Sequence, residues 1–267
     1  MSTPTLARAS AEVRSVDLQR PLAWITLGAR DLLRCGWVSW LHGVAVALFG
    51  GVIVVVAHER FWLLAGALSG FMVIAPVLAT GLYALSRALE RGEPGRPSLV
   101  LQTWLSGWRG DSGQGNAGPM VVFGLLLFVA ASGWVLTSSA LITLLTPQPV
   151  AAPADFVRHV VLAREGWLFE LWLAMGGVLA APIFASSVVA MPLLLERKAG
   201  VLEAVVTSWQ VVLHNPVPMA LWAALIMGLT LLGMATALLG LVVVVPLLGH
   251  ASWHAYRELV APAAGDA

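Results

Sequence analysis

Charged residues are scarce in this 267-residue chain: 11% of it is Asp, Glu, Lys or Arg, whereas 59% is hydrophobic. Soluble globular proteins carry about 25% charged residues. A water-soluble fold could not bury so much apolar surface, so the composition excludes that class. We expect one membrane-embedded domain and no separate catalytic domain outside the membrane.

Two further shortages exclude other classes of protein. Cys35 is the only cysteine, which excludes a disulfide within the chain and predicts an unreactive small side chain at a helix end. The net charge is +1, with 15 basic residues scattered among 14 acidic ones. Because phosphate binding needs a concentrated basic surface, we expect no nucleic-acid partner.

The domain boundaries follow from the distribution of polar residues. Residues 1–20 contain several charges and no apolar run of signal-peptide length, and they predict a mobile N-terminal tail. Residues 21–260 form the predicted transmembrane domain, and residues 261–267 form a C-terminal tail.

Six apolar stretches could cross a bilayer, which requires about 20 residues for a core of about 30 Å. The fifth and sixth share an uncharged run of 32 residues, Val217 to Leu248. One straight helix of that length would measure about 48 Å, so we predict two short helices turning near Gly233 and continuing to Ala255. The other four predicted spans are Trp37 to Ala57, Phe61 to Ser86, Pro119 to Thr146 and Trp167 to Leu195.

A glycine followed six residues later by a proline recurs in the second, fourth and sixth spans, at Gly70/Pro76, Gly176/Pro182 and Gly240/Pro246. The spacing alone hardly exceeds chance, but the shared position within the spans indicates a repeated hairpin. An amphipathic stretch precedes each hairpin and predicts a helix in the membrane interface. The predicted fold is an all-α polytopic membrane bundle of six transmembrane helices, arranged as three hairpins that each follow a short interfacial helix. These helices are predicted at Leu22 to Arg34, Leu99 to Trp108 and Glu203 to His214.

Positive charges set the predicted orientation. With six spans and a cytoplasmic N-terminus, twelve Arg and Lys residues lie on the cytoplasmic side, and only Arg60, Arg158 and Arg164 lie outside. This asymmetry follows the positive-inside rule and places both termini in the cytoplasm.

The span centres carry no charged side chain, which argues against a charge-coupled pump or a proton antiporter. Pro76, Pro182 and Pro246 are candidate hinges, because a proline inside a span frees a backbone carbonyl that could line a substrate site. A kink that serves only packing is the alternative.

His250 and His254 are the candidate metal or haem ligands, since they lie one helical turn apart near the cytoplasmic end of the last span. His42, early in the first span, could join them. The sequence shows no carboxylate or thiol companion for the pair, and no Ser-His-Asp group can be assembled from the predicted buried residues. The alternative is a pair of interfacial histidines that contact solvent or lipid headgroups, and no cofactor is required.

Several phrases resemble an uncharacterised bacterial family of predicted integral membrane proteins, some of whose members are labelled putative cytochrome c oxidase subunits. The resembling phrases extend over nearly the whole chain. They include Pro21-Leu22-Ala23-Trp24 with Gly28 and Asp31, Phe184-Ala185-Ser186-Ser187, and Gly249-His250-Ala251-Ser252-Trp253-His254-Ala255-Tyr256-Arg257. The resemblance implies a bacterial inner-membrane protein and assigns no catalytic residue.

Three hypotheses of function follow. The first is a non-enzymatic accessory or assembly subunit that contacts the lipid bilayer and other subunits of a membrane complex, which the family labels suggest is respiratory. The second is a transporter or channel for a neutral or lipid-like solute. The third is a haem- or metal-binding redox protein that uses His250 and His254.

Overall fold

The computed structural model describes residues 11–57, 78–109, 117–163 and 166–262, and most of these residues are helical. A short π-helix, Val157–Val161, lies between the helices that begin at Pro153 and Leu168. The helices in chain order are α1 (Arg20–Cys35), α2 (Trp37–Ala57), α3 (described over 78–90), α4 (Pro97–Arg109), α5 (Ala117–Leu145), α6 (Pro153–Phe156), α7 (Leu168–Ser187), α8 (Ala190–Glu196), α9 (Val201–His214), α10 (Pro216–Ala235) and α11 (Leu241–Leu259).

Four stretches of helix in the described residues are long and apolar enough to cross a membrane. They are Trp37–Val56, Gly118–Leu145, Leu168–Glu196 and Pro216–Ala235. The all-helical membrane fold is therefore confirmed at this level. The arrangement of six spans in three hairpins stays a prediction. One reason is that residues 58–77, which include most of the predicted span Phe61 to Ser86, lie outside the described residues.

The long apolar run near the end of the chain is two helices, as predicted, and they meet a few residues later than expected. α10 ends at Ala235, and α11 begins at Leu241. Ala237 and Leu238 adopt positive φ values of 53° and 70°, which reverse the chain at a local cost. The hydroxyl of Thr236 accepts a hydrogen bond from the Gly240 amide at 2.8 Å and donates one to the Gly233 carbonyl at 2.8 Å. These bonds close the turn.

The predicted fourth span contains a break after Ser187, between α7 and α8. Pro192 lies four residues after Val188 and has no amide hydrogen to donate to the Val188 carbonyl. We therefore attribute the break to Pro192. The predicted hinge Pro182 is exposed and lies inside the continuous helix α7. Pro246 is buried inside α11, and Pro76 lies outside the described residues.

α11 packs against α1, α2, α3, α8 and α10. At its crossing with α1, a Cβ added to Gly28 would lie 2.7 Å from the Ala251 amide nitrogen, so only glycine permits this approach. At its crossing with α2, Gly43 lies directly against the carbonyl of Val242. Pro246, four residues further along α11, has no amide hydrogen to donate to the Val242 carbonyl. The proline and the close contact with Gly43 therefore occur on one turn of α11.

The three predicted amphipathic stretches are the helices α1, α4 and α9. On α9 four apolar residues face outward, since Leu202, Val206, Trp209 and Leu213 are 77%, 41%, 39% and 69% exposed, and the polar His214 at its end is also exposed. Thr207, a polar residue of the same helix, is fully buried. An outward apolar stripe is the pattern of a helix that contacts lipid in the membrane interface.

Residues 11–19 differ from the predicted mobile tail, because they are held by the C-terminal part of the chain. Val13 pairs with Val260 in an antiparallel bridge, and the Val16 amide donates to the Asn215 side chain at 2.8 Å. Asn215 returns a bond from its amide group to the Arg14 carbonyl at 3.0 Å. Residues 1–10 and 263–267 lie outside the described residues, so the tail prediction stays open for them.

Candidate functional site: a buried network of serine, histidine and aspartate

Four helices bring polar side chains to one buried point beside the end of α11. α1 contributes Asp31, α2 contributes Ser39, α3 contributes Ser86, and α11 contributes His250 and His254. Asp31 is 5% exposed, while Ser39, Ser86 and His250 are not exposed at all. The close approach of α1 to α11 at Gly28 brings Asp31, one turn further along α1, within reach of the two histidines.

The side chains form a continuous set of hydrogen bonds. His250 lies between two hydroxyls, with Nε2 2.8 Å from Ser39 Oγ and Nδ1 2.7 Å from Ser86 Oγ. Ser86 Oγ donates to Asp31 Oδ2 at 2.7 Å. His254 Nε2 reaches the same oxygen of Asp31 at 2.8 Å. One carboxylate oxygen therefore receives two bonds.

Asp31 is the acceptor at which the network ends. Burial raises the pKa of its carboxyl group, but hydrogen bonds from His254 and Ser86 outweigh this effect and hold the pKa below its ordinary value. Asp31 is therefore ionised at neutral pH and can only accept hydrogen bonds.

An ionised Asp31 fixes the direction of every proton in the network. Ser86 has a single hydrogen and gives it to Asp31, so its oxygen must accept from Nδ1–H of His250. Neutral His250 then carries a bare Nε2, which accepts from the Ser39 hydroxyl. The Cys35 thiol lies beside Ser39. All the hydrogen bonds in the network therefore point toward one carboxylate.

A layer of ion pairs lies beyond His254, toward the end of α11. Arg257 bridges Glu90 of α3 at 3.3 Å and Glu196 of α8 at 3.1 Å. Burial raises the pKa of Glu90, although the charge of Arg257 opposes this shift. On the other side, Glu258 accepts two bonds from Arg20, at 2.6 and 2.9 Å. α11 is thus tied by charge to α1, α3 and α8.

His42, the predicted third ligand, is buried beside this network but bonds elsewhere. Its Nδ1 lies 2.9 Å from the Val38 carbonyl of its own helix, so this nitrogen carries the hydrogen. Its Nε2 has no hydrogen-bond partner, and its ring meets Trp104 edge to face at 5.8 Å. A Cβ added to Gly81 would lie 2.8 Å from that Nε2, so the imidazole fills the space that Gly81 leaves.

The predicted metal or haem site at His250 and His254 stays a prediction. Both ring nitrogens of His250 and Nε2 of His254 face protein partners in this structure. Within the described ranges, no three His, Cys, Asp or Glu side chains converge as metal ligands would. A metal at this point would have to displace Ser39 or Ser86 from His250.

The structure brings buried serine, histidine and aspartate side chains together, although His250 bonds to two serines and His254 is the histidine that bonds to Asp31. The order Ser39, His250, Ser86, Asp31 follows the logic of an activated nucleophile, in which a base is oriented by a further group. Ser39 is nevertheless fully buried. The hydrogen bonds of this group join four helices.

Sequence reasoning missed Ser39, Ser86 and Asp31. The sequence places Asp31 on a predicted interfacial helix, where a charge can contact water or lipid headgroups without a protein partner. A usable signal was the spacing of Trp24, Gly28, Asp31 and Cys35, which lies on one face of a helix and becomes the buried face of α1. A small residue and a carboxylate on that face indicate close packing and a buried partner.

Comparison with known proteins places the chain in one family. No curated protein and no solved structure matches it. A family model described as "Predicted integral membrane protein (DUF2189)" matches residues 63–196, which is half of the chain and includes α3 to α8. Together with the four apolar helices of spanning length, this match shows that the chain belongs to the DUF2189 family of predicted integral membrane proteins.

Proposed function

We propose that this protein is a non-enzymatic accessory subunit that binds another membrane protein through α5. The observation that carries the proposal is the poor packing of α5 within its own chain. Only 6% of its most apolar window is buried, against 39% for α2 and 44% for the helix Leu168–Glu196. The spans of a membrane bundle gain stability from contact with other helices, so a span with so little contact has surface available for a partner.

One face of α5 suits a second transmembrane helix. Gly133, Thr137 and Ala140 are exposed at helical spacing, and nothing lies within 4 Å of a Cβ added to Gly133. Thr137 bonds to the carbonyl of Gly133 in its own helix at 2.7 Å, so it leaves no unsatisfied group on this face. A line of small residues lets two helix backbones approach closely in lipid.

The buried network supports a non-enzymatic role, because its polar atoms are used to join helices. Ser39 and His250 are fully buried and bonded to each other.

Native mass spectrometry of the gently extracted, full-length protein tests the proposal. The probe variant is Gly133→Leu, which adds an apolar side chain that lipid accommodates and a packed helix interface does not. The matched control is Gly228→Leu on α10, an exposed glycine with equally open surroundings. We expect a complex with a second protein that Gly133→Leu dissociates and Gly228→Leu retains. A wild-type protein that is extracted alone, or a complex insensitive to Gly133→Leu, contradicts the proposal. The family resemblance makes a respiratory complex the first one to examine.

A further inference from the structure

A cleft of about 550 Å³ opens where α5 ends and α7 begins. The last residues of α5 form one wall, with Thr146 and Gln148 just beyond the helix. The π-helix contributes Arg158 and His159, and the start of α7 contributes Trp167. Because α5 and α7 have the length and hydropathy of spans, their joined ends lie at the level of the lipid headgroups.

The wall that carries Arg158 is fixed in place by aromatic packing. Trp172 of α7 lies 5.3 Å from Phe156, just before the π-helix, and 5.5 Å from Trp134 of α5. Its indole nitrogen donates to Ser138 Oγ at 2.7 Å. The connection between the two spans is therefore packed onto their ends, and the cleft has defined walls.

The polar groups of the cleft suit an anion. Arg158 is a permanent cation, and Gln148 offers an amide. Thr146 contributes a hydroxyl whose oxygen is buried and has no hydrogen-bond partner.

Asp155, one carboxylate of this connection, is hydrogen-bonded to the backbone outside the cleft. Asp155 accepts from the backbone amides of Ala152 at 2.9 Å and Ala151 at 3.1 Å. These two bonds lower the pKa of Asp155 and hold its charge at the start of α6. Asp155 weakens the positive potential of Arg158 and His159 but does not line the cleft.

The rim of the cleft is apolar and exposed. Trp167 is 68% exposed and Leu145 is 52% exposed. Tryptophan is enriched at the boundary between headgroups and acyl chains. A small soluble anion would make no use of such a rim, whereas an amphiphile would contact both parts of the site.

We propose that this cleft binds one anionic phospholipid, with its phosphate against Arg158 and Thr146 and its acyl chains along the exposed apolar surfaces of α5 and α7. The charge of Arg158, the unpaired hydroxyl of Thr146, the apolar rim and the position at the ends of two spans all match a phospholipid. This inference is independent of whether α5 binds a partner protein.

Lipid titration followed by native mass spectrometry tests the site on the full-length protein in detergent. The probes are phosphatidylglycerol and, as the uncharged comparison, phosphatidylcholine. We expect a first phosphatidylglycerol to bind more tightly than phosphatidylcholine. Arg158→Gln should weaken that binding by about three- to tenfold, the effect of losing one partly exposed charged contact. Thr146→Val, which keeps the side-chain shape, should weaken it by about two- to threefold.

The matched control is Arg91→Gln, which removes an exposed arginine from the connection between α3 and α4 and should leave binding unchanged. Equal binding of the two lipids, or equal binding of phosphatidylglycerol by the Arg158 and Arg91 variants, overturns the proposal. Displacement of phosphatidylglycerol by millimolar inorganic phosphate would assign the cleft to a free anion and would also overturn it. Thermal melting of each variant verifies that the fold is intact.

Discussion

Replacing Asp31 tests the idea that the buried network holds α1, α2, α3 and α11 together. Both hydrogen bonds of Asp31 end on Oδ2, so the Oδ1 atom of an asparagine at this position could still accept them. Bonds to a charged group contribute about 1.5–3 kcal/mol and neutral ones about 0.5–1.5. We therefore expect Asp31→Asn to lower the free energy of unfolding by about 1–2 kcal/mol, since relief from burying a charge offsets part of the loss.

Asp31→Ala removes the acceptor altogether and leaves Ser86 and His254 facing an apolar space. Two lost bonds to a carboxylate and two stranded donors amount to about 3–5 kcal/mol. The assay is thermal unfolding in mild detergent at pH 7, in which about 1 kcal/mol corresponds to about 2–4 °C. Asp17→Asn, at an exposed position, is the control and should change the melting temperature by less than about 1 °C.

The contribution of Asp31 to the free energy of unfolding changes with pH in a direction that its pKa determines. Because the folded-state pKa of Asp31 lies below its ordinary value, its stabilising contribution is complete above the unfolded-state pKa of about 3.9. The contribution is lost as the pH falls through the lower folded-state value. The difference between wild type and Asp31→Asn should therefore shrink below about pH 4. An Asp31→Ala protein as stable as wild type would refute the reasoning.

Three further predictions concern the same part of the molecule. Gly28→Ala should lower the free energy of unfolding by about 2–4 kcal/mol, because its methyl group would meet the backbone of α11. The control Gly177→Ala, in open surroundings, should lower it by less than about 0.5 kcal/mol, and thermal melting in detergent compares the two. Ser39→Ala should cost about 1–2 kcal/mol by removing the donor to Nε2 of His250, and an unchanged melting temperature would show that this bond contributes nothing. Cys35 is 6% exposed, and burial raises the pKa of its thiol. A maleimide at pH 7 should therefore label the folded protein at least tenfold more slowly than the denatured protein, and equal labelling rates would contradict this burial.

The helices were predictable because apolar length and amphipathic spacing are properties of local sequence. The division of Val217 to Leu248 followed from the thickness of a bilayer, and its turn was misplaced by a few residues because the positive φ values fall on Ala237 and Leu238, residues that seldom adopt them. The break before α8 follows from Pro192, a proline inside a predicted span that leaves a backbone carbonyl without its helical hydrogen bond.

The sequence identified the two histidines of the network but not their partners. The spacing of His250 and His254 singled out the correct face of α11, whereas their partners come from residues more than 160 positions away in the sequence. Which helices meet at that face depends on close contacts at Gly28 and Gly43, and such contacts become visible only when the packing is known. Sequence periodicity indicates which side of a helix is buried but does not identify the helix that covers it.

Photocrosslinking in intact membranes tests the central claim, that α5 binds a partner protein, most directly. In one variant a photoreactive amino acid replaces Leu136, which is 70% exposed on α5 beside Gly133. In a control variant the same amino acid replaces Leu231, which is 58% exposed on α10. We expect position 136 to form one discrete adduct with a different protein, and Gly133→Leu to abolish it, while position 231 forms none. Lipid adducts alone from position 136, matching those from position 231, would contradict the account.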